Sequence, residues 1–398
     1  MHYLNAITPL YGLGRDSSAA RVCPFFSVPA PTGFPRSQAQ FVSGAAFNVP
    51  SIRERFTMKS RIALGSTASI VRRLLPLALL GASLTTQAND KIVLLTSWYA
   101  QAEHGGFYQA VAEGLYAAEG LEVSIRMGGP QVNGMQLLLN KQADVIVNYD
   151  LQVLKSVEQG LPVVAIAAAF QGDPQGMLTH SDVSGLDALK DKTVLVSTSG
   201  QTTWWPWLKN QYGLSDAQAR PYTFNLQPFF NNPGAVQQAY ASSELFQATK
   251  AGKQPNFYLF ADAGYPPYGS TLVTRQDVIE QRPEVLKRFV KASMQGWKNY
   301  LANPAPANAL IKQDNPSMDD ELLAWGVAKL KEYQLVEGGD AAIQGIGTIS
   351  AERWQKTRDF MVETNLLKAD TDWRKAFNTD FVRDLRVLPA APVQAANP

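Results

Sequence analysis

The segment 197–207 (STSGQTTWWPW) combines small, hydroxylated and aromatic residues directly before a predicted helix. Ser199 and Gln201 flank a glycine at the point where the first backbone N–H groups of a helix have no intrahelical partner. Such groups can hold an anionic or carbonyl oxygen without a charged side chain. The alternative is simple helix capping by Thr202 or Thr203. The sequence therefore predicts a ligand-binding turn in which Ser199 and Gln201 take part, or a plain helix start.

Aromatic side chains suggest a stacking site for a flat ligand. Trp204, Trp205 and Trp207 fall within four residues, and at helical spacing they cannot all face one core. At least one is therefore expected at a cleft or surface. Trp98 ends the first predicted strand and Tyr108 lies in the helix after it, near a strand end that faces a cleft in doubly wound sheets. We predict that Trp98 and either Trp204 or Trp205 form opposing faces of the site. Ordinary core packing is the alternative for Trp98 and Tyr108.

Polar side chains lie near the same predicted edge. A neutral imidazole at His104 could both donate to and accept from a heterocycle, and no partner at metal-ligand spacing accompanies it, so no metal site is expected. Asn148 closes the third strand with a donor and an acceptor for a ligand, whereas Asp150 is expected to cap the next helix. Tyr265, in the stiff turn 264–269, is a weaker candidate for the ligand or for a hinge.

The elements that position these residues alternate between strand and helix. The first group has predicted strands at 91–98, 121–127, 143–149 and 163–169, with helices at 106–118, 132–141 and 151–158. This order predicts a parallel sheet covered by helices, with a ligand at its carboxyl edge. A second, smaller α/β group follows 172–174, with helices at 186–190 and 203–212 and strands at 193–197, 221–225 and 257–261. A strand at 270–274 returns to the first group, and 283–383 is predicted to be helical.

The amino-terminal region is predicted to be a leader. Residues 1–57 show no helical or strand period and are interrupted by prolines, so we expect them to be disordered or not translated. From Met58, basic residues, an apolar run at 74–84 and a small residue at Ala88 match a cleaved signal peptide over 58–88. The apolar run spans about 16 Å as a helix, too short for a hydrocarbon core of about 30 Å. The tail 389–398 is expected to fray.

The remaining composition excludes several classes of function. From residue 89 onward, 27 Lys and Arg stand against 32 Asp and Glu, a net charge of −5, and no basic cluster for nucleic acid occurs. The only cysteine, Cys23, precedes the predicted cleavage point. A disulfide, a thiolate nucleophile, a cysteine zinc site and a lipoprotein anchor are therefore not expected in the mature part. The sequence predicts a periplasmic protein without a cofactor.

Four stretches carry a family resemblance over about 91–385: SWYAQAEHGGFYQAVAEGLYAAEGLEV, ADVIVNYD, TVLVSTSGQTTWWPWL and PYGSTLVTRQDVIEQRPEVLKRFVKASMQGW. They resemble periplasmic binding proteins of the nitrate/sulfonate/taurine class, and in particular the branch that binds pyrimidine precursors of thiamine. The resemblance implies a type II periplasmic-binding-protein fold. In that fold two α/β lobes are joined by two crossovers, and a small-molecule ligand binds in the cleft between them.

The same resemblance implies an organisation and a function. Lobe 1 is expected to comprise 89–175 and 270–388, with the carboxyl-terminal helices, and lobe 2 to comprise 176–269. The protein would be a monomer that delivers its ligand to an ABC permease and ATPase. Glu244 would fall on the polar wall of the second lobe, where it could pair with a ligand amino group or remain a solvated surface side chain.

Alternatives remain for the ligand and for the class of function. The aromatic residues favour a flat heterocycle such as a pyrimidine or flavin-like compound, while a backbone nest could bind a sulfonate or nitrate. The fold also resembles a fungal pyrimidine synthase of thiamine biosynthesis. That synthase uses a cysteine-rich motif and iron, which the mature part of this chain lacks. We therefore expect no enzymatic activity.

Overall fold

A computed structural model describes residues 89–389 of the chain. The predicted extension and signal peptide, 1–88, and the tail from 390 lie outside the described residues. In chain order the strands are β1 Asp90–Leu95, β2 Leu121–Arg126, β3 Val145–Asn148, β4 Val163–Ala168, β5 Gln175–Thr179, β6 Thr193–Val196, β7 Ala219–Pro221, β8 Ala235–Tyr240, β9 Asn256–Leu259 and β10 Thr271–Arg275.

Helices cover both sheets and follow the last strand. In chain order they are α1 Gly105–Ala112, α2 Leu115–Ala118, α3 Gly134–Leu139, α4 Asp150–Glu158, α5 Trp204–Tyr212, α6 Gln227–Asn231, α7 Glu244–Lys250, α8 Gln276–Gln281, α9 Pro283–Ala302, α10 Ala305–Asp314, α11 Asp320–Glu332, α12 Ala341–Gln344 and α13 Ala351–Glu363. Short 3-10 helices include Ala102–His104 after β1 and Gly200–Thr202 before α5. Within 89–389, no helix is both long and apolar enough to cross a bilayer.

The strands form two five-stranded sheets, ordered β2-β1-β3-β10-β4 and β7-β6-β8-β5-β9. We call the first sheet with its helices lobe 1 and the second sheet with its helices lobe 2. The prediction of an α/β fold is confirmed, and so is the common direction of the four strands predicted to be parallel, β1 to β4. Each sheet as a whole is nevertheless mixed. β10 runs antiparallel to β3 and β4, and β5 runs antiparallel to β8 and β9. In each lobe, the strand that directly follows a crossing between the lobes enters its sheet in the reverse direction.

Several predicted elements differ from those observed. The predicted helix 106–118 is divided into α1 and α2 because Gly114 adopts φ +68°, a left-handed conformation that glycine tolerates. β5 and β8 were not predicted from the sequence. In β8 (AVQQAY) two glutamines follow a valine, so the run lacks the apolar pattern of a buried strand, although every residue up to Ala239 is buried.

Lobe 1 is built around α9, whose buried face includes Phe289, Met294 and Trp297. α1 crosses α9 at very short range. A Cβ atom on Gly106 would lie 2.2 Å from the Trp297 ring, and one on Gly296 would lie 2.2 Å from the Gly106 carbonyl. Only glycine permits this approach, so Gly106 in the HGGFYQ segment is required for the packing of α1 on α9. The crossing fixes the start of α1, and with it the loop that follows β1.

Candidate functional site

A small cavity lies between the lobes, where residues that follow β1 and β3 meet residues from β5, β8 and the loop after β6. Its volume is about 20 Å³, which is room for one water molecule but not for a solute. The lobes are therefore in contact across the cleft. The lining residues are Ser97, Trp98, Gln101, Tyr149, Gln175, Ser199, Gln238, Ala239, Tyr240 and Glu244.

Trp98, which lines this cavity, belongs to an aromatic cluster that spans the two lobes. Trp98 of lobe 1 stacks on Tyr222 of lobe 2, with ring centroids 5.8 Å apart and planes inclined by 13°. Phe224 meets the same indole edge-on at 6.1 Å. A centroid separation of 4.5–7 Å is the range in which aromatic pairs attract. The aromatic pair across the cleft is thus Trp98 and Tyr222.

Glu244 begins α7 behind this aromatic pair and is buried. Its Oε1 accepts from the Tyr222 hydroxyl at 2.6 Å, and its Oε2 accepts from the Tyr240 N–H at 2.8 Å. The carboxylate therefore holds the ring that faces Trp98. Glu244 lines the cavity as well, so its proposed pairing with a ligand amino group stays a prediction.

Buried acceptors without partners occur on two residues that line the cavity and on two residues close to them in sequence. Gln101 Oε1 and Gln175 Oε1, from opposite lobes, have no hydrogen-bond partner among the described residues, and the same holds for Glu103 Oε2 and Asp173 Oδ2. Glu103 accepts only from the Ser242 hydroxyl through its other oxygen. Unpaired buried acceptors cost free energy until a donor reaches them. Each of these oxygens therefore has the capacity to accept a further hydrogen bond.

The carboxyl groups of Glu103 and Asp173 hold their protons more tightly than exposed carboxyl groups do. Burial raises the pKa of Glu103 from 4.5 to about 7, with a smaller contribution from the nearby Glu244. Burial likewise raises the pKa of Asp173 from 3.8 to about 7. Among the described residues that line the small cavity, none is Lys or Arg. The Glu103 and Asp173 carboxyl groups are therefore expected to gain or lose a proton near neutral pH.

A larger groove of about 460 Å³ lies between α3, α4 and the loop after β6. Ser97, Tyr149 and Ser199 line both spaces. Asn148, at the end of β3, lines the groove; its Oδ1 accepts from the Tyr149 N–H at 2.9 Å. The structure therefore brings together four predicted site residues: Trp98, Ser199 and Glu244 at the small cavity, and Asn148 beside them.

His104 and Tyr108 do not line either space. His104 is buried, and its ring nitrogens lie 3.1 Å from the Tyr99 carbonyl and 3.4 Å from Ser97 Oγ. Burial lowers the pKa of His104 to about 4, so the ring is neutral and orders the loop after β1. Tyr108 faces α10, where its hydroxyl donates to Asp314 at 2.7 Å. Both side chains therefore act within lobe 1, His104 in the loop after β1 and Tyr108 between α1 and α10.

The expectation that one of the three clustered tryptophans faces the cleft or surface is wrong. Trp204 is 0% exposed, and Trp205 and Trp207 are 1% exposed. α5 is enclosed on several sides: the Trp204 ring lies 5.1 Å from Phe260, and the Trp207 ring lies 6.3 Å from Phe360. The ring opposite Trp98 belongs to Tyr222, so the predicted pairing of Trp98 with Trp204 or Trp205 is not observed.

The remaining predicted residues occupy different places. The side chain of Gln201 is exposed and lines neither space. Tyr265 is buried, and its ring stacks on Trp207 with centroids 4.9 Å apart, beside the second crossing between the lobes. Asp150 is the first residue of α4. It accepts from the Leu151 N–H at 2.8 Å and also from Thr357 Oγ1 at 2.9 Å. It therefore ties α4 to α13 as well as ordering the helix start.

The sequence pattern that defines the NMT1/THI5-like family matches residues 101–307, which include the cavity-lining Gln101, Tyr149, Ser199 and Glu244. The chain belongs to the NMT1/THI5-like family. This NMT1/THI5-like chain is 26% identical over 312 residues to the riboflavin-binding protein RibY of Chloroflexus aurantiacus, covering 74% of this chain and 86% of that protein. It is 24% identical over 257 residues to the formylaminopyrimidine-binding protein of Halalkalibacterium halodurans, covering 61% and 78%.

Solved structures share the fold of this NMT1/THI5-like protein at low identity. The alkanesulfonate-binding protein SsuA from Xanthomonas axonopodis pv. citri, bound to MOPS, matches with a TM-score of 0.56 at 11% identity, covering 73% of this chain and 98% of that one. The periplasmic nitrate-binding protein NrtA from Synechocystis PCC 6803 matches with a TM-score of 0.55 at 14% identity, covering 75% and 88%. The periplasmic-binding-protein fold is thereby confirmed, as is the family resemblance in the sequence.

Several candidate residues of this NMT1/THI5-like site were missed by sequence reasoning. Gln101 and Glu103 lie in the loop after Trp98, and Asp173 and Gln175 lie at the first crossing. Position after a strand could have suggested the first two, since that loop already supplied Trp98 and His104 as candidates. Tyr222 follows the short strand β7, and nothing in the local pattern distinguishes it from a core tyrosine.

Proposed function

We propose that this protein is the solute-binding component of an ABC importer, and that it captures a small, flat heterocycle in the periplasm. Family membership and the periplasmic-binding-protein fold support the binding role. The two relatives named for riboflavin and formylaminopyrimidine support a flat nitrogen heterocycle as the solute. The importer's permease and ATPase would be its partners, and the protein would reach the periplasm as a monomer after cleavage of residues 58–88. Lobe 1 is proposed to comprise 89–175 and 270–388 and lobe 2 to comprise 176–269, except that Gln175 opens β5 and is counted with lobe 2.

The observation that carries this proposal is the pairing of Trp98 with Tyr222 across the cleft, beside unpartnered acceptors from both lobes. A flat ring inserted between the two aromatic side chains would replace their mutual contact with two stacking contacts. Its N–H groups would reach Gln101 and Gln175, one from each lobe. A ligand held in this way contacts both lobes at once, which is what a clamp requires.

Closure around the ligand is the proposed mechanism. A ligand moves a two-state equilibrium only through its higher affinity for one state, and a change from 1:99 to 99:1 takes about 5.5 kcal/mol. Direct contacts already link the lobes: the Tyr149 and Tyr240 hydroxyls share a hydrogen bond, and Ser242 donates to Glu103. Stacking on two rings and a few hydrogen bonds supply the remaining preference. The importer would then recognise the closed form.

An anionic solute is the second candidate, because the structural neighbours include sulfonate- and nitrate-binding proteins. Lys155 in the larger groove is the observation that favours it. Against it, this ammonium group already forms an ion pair with Glu158, and the acceptors around Trp98 would repel an anion. An enzymatic role of the pyrimidine-synthase type finds no support in the cysteine content, since Cys23 is the only cysteine and precedes the proposed cleavage point.

The test is a thermal-shift and calorimetric screen of the purified protein against five solutes: hydroxymethylpyrimidine, formylaminopyrimidine, riboflavin, an alkanesulfonate and nitrate. We expect a heterocycle to raise the unfolding midpoint, because a ligand at about 100 times its Kd stabilises the native state by about 2.7 kcal/mol. Refolding from denaturant before the screen removes any solute that copurifies. A shift with the sulfonate or nitrate alone would replace the heterocycle by an anion. An absence of any shift would contradict the binding role for all five.

A further inference from the structure

A second contact between the lobes lies away from the aromatic pair, where α11 meets α7 and the turn before it. α11 belongs to lobe 1, because it packs so closely on the 3-10 helix Ala102–His104 that a Cβ atom on Gly326 would lie 2.6 Å from the Ala102 Cβ. The turn 241–243 and α7 follow β8 of lobe 2. We call the contact between residues 319–329 of lobe 1 and 241–250 of lobe 2 the α7–α11 seam.

The Trp325 indole forms the centre of this seam. Its Nε1 donates to the Ala241 carbonyl at 2.9 Å. Its ring lies against the Phe246 ring, with centroids 5.4 Å apart and planes inclined by 38°, and both rings are half-buried. An aromatic pair and a hydrogen bond each stabilise a contact beyond the area that it buries. One side chain of lobe 1 is thus bound to both the backbone and a ring of lobe 2.

Ion pairs extend the seam to the end of α7. Lys250 is the last residue of that helix, and its Nζ lies 2.8 Å from Asp319 Oδ2 and 2.7 Å from Glu321 Oε2. Asp319 is already fixed in place as the N-cap of α11, since its Oδ1 accepts from the Leu322 N–H at 2.7 Å. An exposed ion pair contributes little alone, but a cation between two carboxylates forms a small network. Parting the lobes would break it.

The turn held by the seam leads directly to the candidate site. Ser242 in this turn donates to Glu103, in the loop after β1. Two residues later comes Glu244, which accepts from the Tyr222 hydroxyl at 2.6 Å and so holds the ring that stacks on Trp98. The seam therefore fixes the segment that orients the lobe 2 ring of the aromatic pair.

We propose that Trp325 and Lys250 are positioning residues for solute capture, which hold the two lobes closed from a place outside the binding cavity. Neither residue is among the described residues that line the small cavity or the larger groove. The inference rests on the proposed function, since a clamp must stay closed to retain its solute. The seam favours the closed arrangement before any solute is bound, so a ligand has to supply only the rest of that preference.

The experiment measures the separation of the lobes without any solute. Q142C and K190C place one cysteine at an exposed position of each lobe, outside the seam, the cavity and the groove. C23S removes the only natural cysteine, so that spin labels react at these two positions alone. Double electron–electron resonance then gives the distribution of distances between the labels. Refolding from denaturant beforehand removes any solute that copurifies.

W325F tests the hydrogen bond at the centre of the seam. It keeps a ring against Phe246 but cannot donate to the Ala241 carbonyl. We expect the ratio of open to closed molecules to rise by about fivefold, the usual effect of losing one hydrogen bond. Urea unfolding shows whether this variant is still folded.

K250Q tests the ion pairs and is the safer variant, because Lys250 is exposed. It should raise the ratio of open to closed molecules by about twofold, and K250R, which keeps the charge, should restore the wild-type distribution. K291Q is the matched control. Lys291 is also exposed and lies 2.6 Å from Glu119, but both partners belong to lobe 1, so its loss should leave the distribution unchanged.

The outcomes separate this inference from the proposed function. Longer distances in W325F and K250Q but not in K291Q would support the role of the seam. An unchanged distribution in W325F and K250Q, or a wild-type distribution with the longer distance alone, would overturn it. An equal shift in K250Q and K291Q would also overturn it, because any surface ion pair would then have the same effect. Failure of all five solutes in the binding screen would overturn the proposed function, while the distance shifts would still identify the contact that holds the lobes.

Discussion

Glu103 should make the stability of this protein depend on pH in a way that one substitution removes. Burial raises its pKa from 4.5 to about 7. Between these values the native state holds a proton that the unfolded chain has lost, so the free energy of unfolding falls as pH rises. Each tenfold change in proton affinity is worth about 1.4 kcal/mol, which gives roughly 3 kcal/mol over this window. Any opening of the lobes that rehydrates the carboxyl group makes this figure an upper limit.

The variant E103Q keeps the size of the side chain and an acceptor for Ser242, but cannot ionise. It should match the wild type near pH 4, where Glu103 is protonated in both states. Above pH 7 it should be more stable than the wild type by up to about 3 kcal/mol. The assay is urea unfolding followed by tryptophan fluorescence at pH 4.5, 6 and 8. The quantity to follow is the difference in unfolding free energy between E103Q and the wild type at each pH.

The difference is needed because His104 changes stability in the opposite direction. Burial lowers its pKa from 6.5 to about 4, so its contribution is full above pH 6.5 and is lost as pH falls towards 4. The wild-type profile alone therefore does not isolate Glu103. E122Q is the control: Glu122 is exposed on β2, and its replacement should change stability by less than about 0.5 kcal/mol at each pH. A difference between E103Q and wild type that stays constant from pH 4.5 to 8 would refute the reasoning.

Four further substitutions test the cleft and the core. W98A should weaken binding of the heterocycle by about two- to tenfold in calorimetry with little change in unfolding midpoint, whereas W204A should lower the unfolding free energy by about 3–5 kcal/mol. If W98A lowered the unfolding free energy and W204A weakened binding instead, the description of the cleft would be wrong. Y108F should lower the free energy of unfolding by about 1 kcal/mol, because the hydrogen bond to Asp314 is lost, and should leave ligand affinity unchanged. A drop in ligand affinity would instead show that Tyr108 belongs to the binding site. G296L should destabilise lobe 1 by at least 1–3 kcal/mol in urea unfolding, because its Cβ would meet a backbone carbonyl of α1 at 2.2 Å, and a stable variant would argue against that crossing.

Strand ends were the part of the site that sequence could locate. Trp98, Asn148 and Ser199 follow β1, β3 and β6, and all three line the cleft between the lobes. Their positions depend on the alternation of strands and helices, which a single sequence reveals. The same rule indicated the loop that also contains Gln101 and Glu103. It could not show that their oxygens are buried without partners, because that depends on Gln175 and Ser242 from the other lobe.

How many faces of a helix are buried could not be predicted from the residues of that helix alone. The spacing of Trp204, Trp205 and Trp207 suggested one exposed indole, and this assumes that a helix packs on one face only. α5 is instead enclosed by Phe260 and Phe360, which lie far along the chain. The direction of β5 and β10 was unpredictable for a similar reason. The direction of each strand depends on how the chain enters the sheet after it crosses between the lobes. The spacing of apolar residues contains no information about that.

The position of β10 has a consequence for the order in which the molecule can fold. This strand lies between β3 and β4, although some hundred residues of the other lobe separate it from them in sequence. A nascent chain that ends before Thr271 therefore leaves β4 without its neighbour and an edge of β3 open to other chains. Pairing between strands that are distant in sequence slows folding and prolongs the exposure of aggregation-prone strand edges. Fragments cut before this point should aggregate, and the first lobe should become protease-resistant only when the chain is long enough to return to it.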